Sequence, residues 1–382
     1  METPAEYDDI RCYEAKDLKP TFDVLLADEQ FCGILQQLFP KTSFEQLKAG
    51  LYSCKDVLDF QEKFVYAYID DLMSKVSLGY DLDCGEIEDK HKAYTFISNH
   101  RDIVLDPGLL AMLLIKNGFS TTQEIAIGDN LLIFPWIKHL VRLNKAFIVQ
   151  RSLGLREMLA ASKKMSSYMH FVIREKQNPI WIAQREGRAK DSNDHTAEAV
   201  LKMVAMGGTG TPLGNLKEMN IVPMSLSYEY DPCDYLKAQE FQLKRDNADF
   251  KKSRQDDLLN MQTGILGFKG HVHFVMGTPI NDWLDELEDA PKGQFFGEIA
   301  QRMDREIYRN YRLYPSNYVA ADLLRGNSDH ATHYSADEKA HFEKYLKGQL
   351  AKIDIPNKDE AFLRDRILEM YANPVFNHES VL

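Results

Sequence analysis

A single histidine and two aspartates carry the clearest chemistry in this sequence. A β-like run, Tyr94–Ser98, leads into Asn99-His100-Arg101-Asp102-Ile103-Val104-Leu105-Asp106-Pro107, and an apolar helix-like run, Leu109–Lys116, follows. An imidazole titrates near neutral pH, so His100 can take a proton from a hydroxyl. A carboxylate against its other nitrogen would fix the tautomer and stabilise the imidazolium that forms. Asp106, at the start of the helix, suits that place. Asp102, two residues from His100, would have to fold back sharply and is the alternative. The same residues also have a structural reading, because Asp-Pro at a helix start is a common capping pattern.

Something must hold that loop in place. Residues 1–85 read as helical, with apolar residues three and four apart in Phe44–Leu58 and Leu58–Val76. Residues 86–280 alternate β-like runs with helix-like ones. The β-like runs are Tyr94–Ser98, Ala146–Gln150, Ile180–Gln184, Ile221–Tyr228 and His271–Met276; between them lie Leu109–Lys116, Gly154–Met169 and Ala197–Met206. That alternation predicts an α/β domain, a mixed central sheet flanked by helices. Residues 281–382 return to long charged amphipathic patterns such as Asp337–Ile353. The expectation is therefore an α/β core with helical N- and C-terminal extensions.

Composition narrows the partners. The net charge is −12 over 382 residues, which argues against nucleic acid. From Lys138 to Lys190, however, 12 Lys/Arg face 3 Asp/Glu, a local excess of 12 − 3 = +9. Such a stretch suits an anionic ligand, an acidic carrier protein or anionic lipid headgroups. The five cysteines are scattered, form no CxxC pair and suggest reduced thiols and no zinc site. His271 and His273 share a strand face but lack further ligand spacing. Gly207–Thr211 lacks the Lys-Ser/Thr of a phosphate loop and reads as a turn. There is no GxSxG elbow, which disfavours a serine hydrolase. No apolar run reaches ~18–20 residues, and the acidic N-terminus lacks an apolar leader core.

The segment ISNHRDIVLDP resembles the His–Asp motif of the glycerolipid acyltransferases. Its Asn-His start and Asp-Pro end are most similar to the soluble, plastid-type glycerol-3-phosphate acyltransferases. The family places four residues between His and Asp, whereas five separate His100 from Asp106. Either the loop carries one extra residue or Asp102 has a role. Three further blocks follow in the family's order: Ala146–Arg151, Ile182–Arg188 and Ile221–Met224. Together the resemblance covers about residues 85–280.

The resemblance implies acyl transfer from acyl-carrier protein or acyl-coenzyme A to the hydroxyl of glycerol 3-phosphate or lysophosphatidate, with no cofactor and no metal. His100 and Asp106 would be catalytic. Arg151, Glu186, Gly187 and Arg188 would bind the acceptor, with Lys190 as a further candidate. An arginine fork binds phosphate bidentately, glycine lets backbone approach a ligand, and Glu186 would order the loop. The implied setting is cytoplasmic, with peripheral contact at an anionic membrane surface on the inner face. A carboxylate on another lipid, such as an acylated amino acid, would also satisfy the arginines. A non-catalytic lipid-binding role is the remaining alternative.

Overall fold

The computed structural model describes residues 2–132, 134–151 and 153–382. Seven strands form one sheet: β1 Gly79–Asp83, β2 Thr95–Ser98, β3 Glu124–Gly128, β4 Ala146–Val149, β5 Ile180–Ala183, β6 Ile221–Tyr228 and β7 His271–Met276. Their order is β1-β7-β6-β2-β5-β3-β4, and every neighbouring pair is parallel except β6–β7. This is the expected mixed sheet flanked by helices. β2 lies at its centre, and all four of its residues are buried. Its side chains alternate, as the pleat requires. Phe96 enters a cluster on one face, with Trp181, Leu109 and Val222; Ile97 enters a cluster on the other, with Phe147, Leu201 and Ile299.

Two strands depart from the sequence reading. β1 lies inside the region read as helical, because only Leu82 of Gly79–Asp83 is buried and the run shows no β alternation of apolar residues. It forms as an edge strand beside β7. β3, with sequence EIAIG, is short and begins with a buried charge. Glu124 tolerates that position because Lys176 Nζ stands 2.6 Å away and the Tyr168 hydroxyl donates to it at 2.5 Å. Composition does not show a strand whose charge is neutralised by a residue fifty positions later.

The terminal segments are helical where expected. Glu29–Leu38 and Phe44–Tyr52 build an N-terminal cluster around Phe22, Leu35, Leu51 and Phe60. Phe295–Arg309, Pro315–Arg325, Ala336–Ala351 and Glu360–Glu379 supply a C-terminal cluster around Val319, Phe342 and Ile367. The His pair on β7 is spent on carboxylates: His271 Nδ1 lies 2.7 Å from Glu229 and His273 Nδ1 2.8 Å from Asp81.

Candidate active site

The chain leaves β2 at Ser98, and three contacts fix the turn that follows. Trp181 Nε1 donates to Ser98 Oγ at 2.9 Å. Asn99 acts as a surrogate backbone unit against β6: its Nδ2 donates to the Leu226 carbonyl at 2.9 Å, and its Oδ1 accepts the Leu226 N–H at 2.7 Å. The His100 ring then meets Trp181 edge to face, with centroids 5.4 Å apart. At 13% exposure, the imidazole keeps a narrow opening to solvent.

Asp106 is the carboxylate that meets His100. Its Oδ2 lies 2.7 Å from His100 Nδ1 and accepts the Arg101 N–H at 2.6 Å, while its Oδ1 accepts the Tyr228 hydroxyl at 2.8 Å. A fully buried carboxylate with three donors is satisfied and immobile. The carboxylate accepts from Nδ1, which leaves Nε2 with its lone pair available to a proton.

Asp102 does something else. Its Oδ1 accepts the N–H groups of Val104 and Leu105 at 2.9 and 2.7 Å, so it satisfies the first free donors at the start of the helix Leu105–Lys116. Asp106 sits inside the first turn of that helix rather than capping it. Burial pushes the Asp102 carboxyl up, as does the nearby charge of Asp106. Its other oxygen abuts the helix Arg254–Leu266 at Gly264, where a Cβ would stand 2.1 Å away, so only glycine allows this approach.

The anion-binding candidates lie beyond β4 and β5 but are not equivalent. Arg151 is 38% exposed, and its Nη1 lies 3.3 Å from Glu186. That contact joins the two predicted loops at the surface, where an exposed ion pair contributes little. Gly187 has φ +69°, a left-handed turn that its side chain-free backbone accepts. Arg188 points inward, with Nη2 donating to Asn260 Oδ1 at 3.2 Å, and it faces the buried carboxylates of Asp102 and Asp231. Lys190 is held by Glu240. On an acceptor-binding reading, Arg151→Ala should raise the acceptor KM about 10- to 150-fold, as loss of ~1.5–3 kcal/mol of charged hydrogen bonding. Arg188→Ala should also lower the thermal midpoint, because it uncovers buried carboxylates. Saturation curves for both substrates, with melting curves, check this. A rise confined to the donor KM would mean that the arginines face the thioester.

Several charges of the +9 stretch are engaged within the fold. Arg142 donates to the carbonyls of Arg11 and Asp8, and Lys176 is paired with Glu124. Lys145 is buried, which pulls its ammonium down to about 8. Lys164 pairs with Asp9 at 2.6 Å and Arg174 lies 3.8 Å from Glu218. Sequence proximity gathered charges that the fold spends separately.

Two features were not legible in sequence. One is Tyr228, at the end of β6, 122 residues from Asp106. The other is an apolar cavity of about 280 Å³ whose wall includes Ile103, Leu105 and Pro107 around Asp106, then Val65, Ile69 and Val141 farther along. Among the described residues, no group of three or more His, Cys, Asp or Glu could hold a metal ion, and no helix is long and apolar enough to cross a membrane.

No family model and no curated protein matches the chain. Among solved structures, it is similar to the 1-acyl-sn-glycerophosphate (LPA) acyltransferase PlsC from Thermotoga maritima, at 12% identity and a TM-score of 0.36. The match covers 75% of this chain and 93% of that one.

Proposed function

We propose that the chain is an O-acyltransferase that moves a fatty acyl group from a thioester, acyl-carrier protein or acyl-coenzyme A, to the hydroxyl of glycerol 3-phosphate or lysophosphatidate. The observation that carries this reading is the juxtaposition of a His100–Asp106 pair with an apolar cavity walled by the residues on either side of Asp106. A base beside a greasy slot suits a substrate with a reacting carbonyl and a long alkyl tail. His100 Nε2 removes the hydroxyl proton as the oxygen attacks the thioester carbon. The tetrahedral intermediate then expels the thiolate, and the imidazolium returns the proton to sulfur. No side-chain nucleophile is required. Arg151, with Glu186 beside it, and Arg188 are the groups proposed for the acceptor's anion.

Incubating the purified protein with labelled acyl-carrier protein or acyl-coenzyme A and a panel of acceptors tests the assignment. Ester formation on the glycerol phosphates supports it, and transfer only to an acylated amino acid would move the assignment to that acceptor. Absence of transfer to any acceptor would remove it. The cavity makes its own demand. Val65→Phe adds bulk to its wall and should exclude two or three methylenes, at about 0.8 kcal/mol each. That is roughly a 10- to 60-fold loss of kcat/KM for long-chain donors, with short-chain donors unaffected. Equal losses for every chain length would show that the alkyl tail lies elsewhere.

A further inference from the structure

Both neighbours of His100 are held by one distant carboxylate. Asp194 Oδ2 accepts from Asn99 Nδ2 at 3.3 Å, and its two oxygens take the Arg101 fork at 2.9 and 2.6 Å. Tyr311, beyond the helix Phe295–Arg309, donates its hydroxyl to Oδ2 at 2.6 Å, and Tyr308 donates to the Asp194 carbonyl. Asp194 is 1% exposed. It follows the Glu186–Arg188 loop, in a segment tied down just beyond it. Ala197 N–H donates to the Gln184 carbonyl, and Thr196 Oγ1 donates to Asp304 at 2.6 Å. Three parts of the chain therefore meet at Asp194: the loop carrying His100, the segment that follows the Glu186–Arg188 loop, and the C-terminal region at Tyr308 and Tyr311.

Buried ion pairs contribute little net stability, because desolvation offsets their attraction. Their better-attested use is to specify one arrangement, and here the arrangement specified is that of the loop carrying His100. The Arg101 N–H also donates to Asp106 Oδ2, so displacing Arg101 would disturb the base and its orienting carboxylate together.

We propose that Asp194 is a positioning residue for His100, clamping both flanks of the histidine and linking that loop to the anion-binding loop and the C-terminal helices. The kinetic part of this proposal rests on the acyl-transfer reading; the positional part does not.

The test uses the full chain and two readouts. Asp194→Asn keeps size but removes the carboxylate that pairs directly with the buried Arg101 cation, leaving only the more distant Asp231. The other charged and titratable groups around the loop are Asp106, Tyr228, Asp102, Asp231, Tyr308 and Tyr311, with Asp304 and His195 beside Asp194 and with Arg188 and Lys269 facing Asp102; the substitution removes none of their charges, and Tyr311 can still donate to the amide oxygen. The uncovered cation disfavours the imidazolium, so the His100 ring should titrate at lower pH by NMR. The ascending limb of the pH–rate profile should move the same way. Turnover should fall on the order of 10²-fold, the cost of a displacement near 1 Å. Loss of folded protein alone would scale the rate without moving either midpoint.

If that variant does not fold, Arg101→Met combined with Asp194→Leu replaces the pair by apolar groups, a change that commonly preserves stability. Tyr311→Phe removes a single donor. A folded double variant with wild-type turnover, or an unchanged His100 titration in Asp194→Asn, overturns the proposal. If the wild type acylates no acceptor, the functional reading fails, and the NMR titration still decides the clamp.

Discussion

His100→Ala is expected to lower acyl transfer about 10²- to 10⁴-fold, the usual contribution of a general base, without a comparable loss of stability. The side chain is positioned by its surroundings more than it supports them. Its ring makes one hydrogen bond, to Asp106, and one edge contact, to Trp181. Removing it leaves Asp106 with the Arg101 N–H and the Tyr228 hydroxyl, so the buried carboxylate keeps two of its three donors. The segment's backbone is held independently by Asn99 against Leu226. Turnover with saturating substrates and a melting curve on the same preparation are the measurements. A folded variant within a few-fold of wild type would show that the proton leaves the hydroxyl by another route, and the mechanism would be wrong.

Asp106→Asn and Asp106→Ala should differ, and the difference reports on the network. An asparagine amide can turn its oxygen toward His100 Nδ1 and the Arg101 N–H, where Oδ2 now accepts both. Its nitrogen then faces Tyr228, whose hydroxyl can rotate to accept. The histidine keeps its tautomer and loses only the charge that stabilises its protonated form. A charged hydrogen bond contributes ~1.5–3 kcal/mol, so the asparagine variant should lose roughly 10- to 150-fold in kcat. Alanine leaves three donors without an acceptor in a buried site, so it should cost more activity and also depress the melting temperature. Combining Asp106→Asn with Tyr228→Phe removes the partner that orients the amide, so the loss should exceed that of Asp106→Asn alone. If asparagine and alanine prove equally slow and equally stable, the carboxylate's network does not position the base.

Much of the core was legible because it is local. Ile221–Tyr228 and His271–Met276 are strands with the bounds that their β-rich runs imply, and Tyr94–Ser98, Ala146–Gln150 and Ile180–Gln184 shift by one residue at an end. Helix Leu105–Lys116 begins two residues before the start that an Asp106 cap with Pro107 at N1 implies, and Asp102 satisfies its first N–H. The strands that escaped, β1 and β3, are those whose apolar signal is weakest. Each depends on a partner outside its own run, β7 for one and the Lys176–Glu124 pair for the other.

The sequence by itself determined that a histidine follows a buried strand at the head of a helix, with an aspartate at the helix start and arginines after two later strands. These are facts of order and spacing, and hydrophobic period and turn chemistry act over a few residues. Only the tertiary structure decided which carboxylate faces the histidine, which arginine remains at the surface, and which charges of the +9 stretch are paired inside the fold. Those outcomes depend on contacts between residues tens to more than a hundred positions apart, such as Tyr228 with Asp106 and Asp194 with Arg101. A charge takes its meaning from what the fold places within a few ångströms of it, and no local pattern records that distance.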